Sequence, residues 1–134
     1  MSSASLSHGI GRATGAAPAY DVTVTRDVGP ALLRWRSPAA TGLATPFQGP
    51  GWLGSWYETV GRSPGTEPLM ITVRDGASGP VVACLPWVVE RDGRGRRVVG
   101  FADGGVTDYN AAILGPAAPA SPEDWRRVWR SVRR

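Results

Sequence analysis

The residues best suited to chemistry lie near the end of the chain. Gly104-Gly105-Val106-Thr107 leads into Asp108-Tyr109, a carboxylate and a phenol placed just after two residues that accept left-handed backbone. A carboxylate at the end of a strand, where open α/β sheets gather ligand contacts, can orient an amine or take its proton. The alternative is structural: Asp108 bonds the N–H groups of its own turn and Tyr109 packs on the sheet. Gln48 and Trp52 form a second group. Gln48 precedes a helix whose first N–H groups need acceptors, so capping competes with substrate contact. Trp52, Trp56 and Tyr57 share a helical face and read first as core, second as a surface on which a ligand stacks. Cys84 sits among apolar neighbours, where burial raises the pKa of a thiol and leaves it inert. With one Cys and one His (His8), neither a Cys/His metal site nor a triad built on an ordered imidazole can be assembled.

Something must position those groups, and the periodicity says what. Asp21 to Arg26 alternates and is rich in β-branched residues, the pattern of a half-buried strand. Pro30 opens a short helical stretch that Ser37-Pro38 should stop, because the residue before proline is pushed out of the α region. The clearest helix spans Pro50 to Val60, with Gly61 expected as the left-handed residue that closes it. Residues 69–74, 80–90 and 96–101 then read as a three-stranded antiparallel meander with turns at 75–79 and 91–95. Its middle strand is nearly continuously apolar, as for a strand covered on both faces, and a bulge at Leu85-Pro86 is expected where proline cannot donate to the ladder. Residues 111–114 allow one more short strand. Ser121-Pro122-Glu123-Asp124 is a helix start, followed by an apolar stripe of Trp125, Val128, Trp129 and Val132 with arginines mostly off it. These elements imply an α/β (α+β) fold: a mixed, mainly antiparallel sheet flanked by helices.

Composition sets the outer limits. With 134 residues, 42% hydrophobic and 19% charged, the chain is one domain that can bury a core. Residues 1–19 are small, polar and aperiodic and read as a disordered tail, so the fold occupies residues 20–134. The net charge of +4 comes from 15 basic residues, all arginine, against 11 acids. Arginine without lysine, alongside abundant Ala, Gly and Pro, is what a high-GC genome writes into tolerant positions, and no aromatic residue interleaves with the arginines as single-strand binding needs. No nucleic-acid partner is expected on that ground. No apolar run approaches the ~20 residues of a membrane span and no basic-then-apolar leader is present, so a cytoplasmic protein is expected.

Three segments carry a resemblance. Pro46-Phe47-Gln48 with Pro50, Trp52-Leu53 and Trp56, the apolar strand reaching Leu85-Pro86, and Gly104-Gly105-Val106-Thr107-Asp108-Tyr109 occur in the order and spacing of GNAT-type acetyltransferases related to cellulose and exopolysaccharide biosynthesis proteins, which are themselves similar to Fem-type aminoacyltransferases. The resemblance covers the chain from about Tyr20 onward. It implies a GNAT-like fold, the amino-terminal half of a tandem pair, with acetyl-CoA as co-substrate and an amine of a sugar, amino acid or peptide as acceptor, in cell-envelope or polysaccharide metabolism. It further implies catalytic roles for Asp108 and Tyr109 and substrate contacts from Gln48, Trp52, Gly104 and Gly105. The cofactor groove of such proteins lies mainly in the second half, so weak or absent activity is expected of these residues alone, with a second GNAT-like half or a second copy as partner. Arg97 to Ala102 satisfies the written acetyl-CoA pyrophosphate pattern R/Q-x-x-G-x-G/A but reads as a strand entering a turn without a following helix, hence as coincidence. The competing expectation is a non-catalytic interaction domain that docks through the aromatic face of its last helix.

Overall fold

The computed structural model describes residues 20–107 and 110–134; the expected tail at 1–19 and the Asp108-Tyr109 pair lie outside the described residues. Four antiparallel pairings join five strands into one sheet. Strand β1 (Asp21–Thr25) pairs with β2 (Glu67–Arg74), β2 with β3 (Val81–Arg91), and β3 with β4 (Arg97–Phe101), while the short β5 (Ile113–Leu114) also pairs with β3. Helices α1 (Val28–Thr41) and α2 (Pro50–Glu58) lie on one face and α3 (Pro122–Val132) on the other. The expected α/β fold with a mainly antiparallel sheet is therefore present, and β1 and β5 extend the meander.

The two faces explain the middle strand. Cys84 and Val88 point toward α1 and α2, joining Trp35, Leu53, Trp56, Tyr57, Met70 and Ile113. Ala83 and Leu85 point toward α3, joining Ile71, Val73 and Val128. Successive side chains alternate between faces, so a strand buried on both must be apolar throughout. Polar tips inside this core are all bonded. The Trp35 indole N–H donates to Thr72 Oγ1 at 2.8 Å, and the Tyr57 hydroxyl donates to the Trp87 carbonyl at 2.9 Å.

Three local expectations are corrected. First, α1 does not stop at Ser37-Pro38 but continues to Thr41 with Pro38 inside it. Pro38 falls in the last turn and is buried on the same stripe as Ala31 and Trp35, so ring burial offsets the lost N–H bond. Second, α2 ends at Glu58 and a 3-10 turn, Val60–Arg62, follows. Gly61 is buried within that turn and does not take a positive φ. Its requirement is room: a Cβ there would lie 2.9 Å from Trp56 Cζ3 and 3.3 Å from Tyr57 Cδ1.

Third, no bulge occurs at Leu85-Pro86. The β2–β3 register runs unbroken through Ile71↔Leu85 and Met70↔Pro86, and shifts only between Val73 and Arg74. Proline is tolerated because of where its nitrogen points. The Pro86 carbonyl accepts from Ala102 N–H at 2.8 Å, so both its backbone groups face the outer edge, between the last β4 pair at Trp87 and the first β5 pair at Cys84. The missing donor removes no bond from the β2–β3 ladder.

Candidate functional site

Strands β4 and β5 follow one line along the edge of β3, interrupted by a loop. Phe101 stands opposite Trp87, so an uninterrupted strand would bring residue 104 opposite Cys84; Ile113 stands there instead, and nine residues are looped out. That excursion carries the glycine pair. Gly104 and Gly105 adopt φ of +57° and +75°, values that side-chain-bearing residues avoid. The loop leans on the end of α2: the Trp56 indole N–H donates to the Asp103 carbonyl at 2.9 Å, and a Cβ on Gly104 would come within 2.9 Å of Val60 Cγ1.

Asp103 organises the loop. Its carboxylate accepts from the Thr107 N–H at 2.8 Å and from the Thr107 hydroxyl at 2.5 Å. The Thr107 hydroxyl also lies 3.1 Å from the Asn110 side-chain amide. The Thr107 hydroxyl holds the Asp103 carboxyl below its ordinary pKa, aided by Asn110 and by the N–H groups of Thr107 and Gly105, against a smaller opposing effect of desolvation. A carboxylate bonded in this way holds the turn together. Asp103 takes a turn-bonding role that sequence reasoning missed. The available signal was an acid directly before two glycines with a threonine four residues on.

The other expected site residues are distributed as follows. Gly104 and Gly105 are in the loop, and both neighbours of the Asp108-Tyr109 pair, Thr107 and Asn110, are held in the Asp103 network. Gln48 is elsewhere. It is buried in a 3-10 turn, Pro46–Gln48, ahead of α2, where its side-chain oxygen accepts from the Thr45 N–H at 3.3 Å and from the Thr45 hydroxyl. It therefore takes part in capping its own turn. Trp52 is half-buried, with its ring edge-on to Phe47 at 6.2 Å. Trp52 lies about one turn, roughly 6 Å along the α2 axis, before Trp56.

Acetyl-CoA has no cradle at the segment that matches its written pattern. Arg97–Phe101 is strand β4, Val98 and Gly100 are paired with Glu90 and Val88, and a turn follows in place of a helix. The N–H groups of a strand alternate in direction, those of residues 98 and 100 toward β3, and do not converge on a pyrophosphate as those of a helix N-terminus do. Burial pushes the Cys84 thiol up to about 12, so it is packing and not a nucleophile. Among the described residues no three His, Cys, Asp or Glu side chains group to hold a metal, and no helix is long and apolar enough to cross a membrane. Comparison with protein-family models, with curated proteins and with solved structures finds no match.

Proposed function

We propose that this chain is the acceptor-binding portion of an acyl-CoA-dependent N-acyltransferase, with the looped-out segment between β4 and β5 receiving the amine. The observation that carries this reading is the pinned excursion: the Trp56 indole anchors Asp103, and the Asp103 network takes in Thr107 and Asn110. Loops on a rigid scaffold are where binding groups collect, and a positioned carboxylate lowers the cost of orienting and deprotonating an amine. Support from sequence comes from the three segments that resemble GNAT-type enzymes. Gln48 and Trp52 take structural roles in this reading, and the acyl-CoA groove belongs to a second half.

Calorimetric titration with a sugar amine, an amino acid and a short peptide amine tests it. At least one amine is expected to bind, and Asp108→Asn is expected to weaken that binding about tenfold, the loss of one charge-assisted contact. Absence of binding by every amine at millimolar concentration overturns the reading.

A further inference from the structure

The chain's positive charge is concentrated in two segments. Residues 87–101 and 121–134 hold nine arginines and four acids, a net +5, whereas the rest of the chain carries −1. Helix α3 brings the two segments together. Arg127 lies over the Tyr20 ring near the start of β1, and Trp129 stacks on Trp87 at 6.2 Å, so the C-terminal turn runs toward the β3–β4 hairpin. The local acids are outnumbered: Glu67 pairs with both Arg26 and Arg97, and Glu123 with both Arg126 and Arg130.

Beside this charge is an open strand. In β4, Ala102 turns its N–H toward Pro86, which by alternation sets residues 98 and 100 toward β3 and residues 97, 99 and 101 outward. Among the described residues no partner bonds those outward N–H and C=O groups. Edge strands are normally blunted by proline, bulges or lysine. This one instead shows Val98 at 41% and Val99 at 56% exposure, next to Trp129 at 38%. A groove of about 570 Å³ on α3 is lined by Trp129 with Arg126, Arg130 and Arg133, and Trp129 reaches the sheet through its stack on Trp87, the residue opposite Phe101 of β4.

We infer that β4 is a docking edge for an acidic, extended polypeptide segment that adds a strand to the sheet. Its backbone would bond to residues 97, 99 and 101, its apolar side chains would cover Val99 and Trp129, and its carboxylates would meet Arg97, Arg130 and Arg133. Charge selects this occupant over a second copy, because β4-to-β4 pairing would bring two copies of these net +5 segments together. Of the aromatic stripe of α3 only Trp129 contributes to this surface, because Trp125, Val128 and Val132 pack on the chain's own sheet.

Fluorescence anisotropy with a labelled peptide of alternating glutamate and valine, about eight residues long, tests the inference. The full chain is expected to bind it about tenfold or more tightly than a lysine–valine peptide, and added salt is expected to weaken binding. Val99→Pro removes one outward N–H without touching the β3 ladder and is expected to cost about tenfold, as is the pair Arg97→Glu with Arg130→Glu. Circular dichroism confirms that each variant is folded. Equal binding of the lysine peptide, unchanged binding by folded Val99→Pro, tighter binding of single-stranded oligothymidylate, or a dimer by light scattering without peptide would each overturn it.

Discussion

Gly61 and Gly104 both serve Trp56, for different reasons. Gly61 makes room for the indole and Gly104 supplies the left-handed backbone that lets the loop turn over it. Gly61→Ala should destabilise the chain by about 1–3 kcal/mol in urea unfolding, because the aromatic pair it would strike is itself buried. The sequence made Gly61 legible as a glycine position and misplaced its cause, since steric room against a distant ring leaves no local mark. Asp103 gives a pH signature. Its folded pKa is below the ordinary 3.8, so the stability it contributes is full above that value and is lost as pH falls through the lower folded one. Loop amides should therefore lose protection, measured against their intrinsic exchange rates, as pH falls below 3.8, an effect absent in Asp103→Ala. Cys84 runs the other way: with its thiol pushed up to about 12 from 9.0, its contribution falls as pH rises between those values. At neutral pH it should resist thiol reagents until the chain unfolds.

At the scale of elements, strands were more legible than the ends of helices. β-branched alternation and the apolar run of β3 state their own periods, and Ser121 caps α3 as its sequence says, accepting from Asp124 N–H at 3.1 Å. Ser121→Ala should cost about 1 kcal/mol in thermal or urea unfolding, with the sheet's β signature retained. The continuation of α1 through Pro38 was hidden because burial of the ring against the core overrode a local preference. The β4–β5 excursion was hidden for a different reason. Register is a relation between strands far apart in the chain, and nothing within residues 102–112 records that both flanks meet β3. The tolerated Pro86 depends on the same relation, which is why a bulge was expected where none exists.

For the whole molecule, the sheet is covered unequally, by α1 and α2 on one face and α3 alone on the other. The covered part forms two core clusters, one on each face, and no buried side-chain polar atom among the described residues lacks a partner. Thr72→Val, which strands the Trp35 N–H inside the cluster under α1 and α2, should cost about 1–3 kcal/mol of global stability by urea unfolding. The uncovered part, at the basic segments, is where partners would attach, and the looped-out edge is where a small amine would. A ¹⁵N-resolved NMR titration with the amine panel tests this division most directly, using the Trp56 indole N–H and the Thr107 and Asn110 amides as reporters. The account predicts saturable shifts in those three signals with the Arg97–Phe101 strand unmoved. Static loop signals while another surface responds would contradict it.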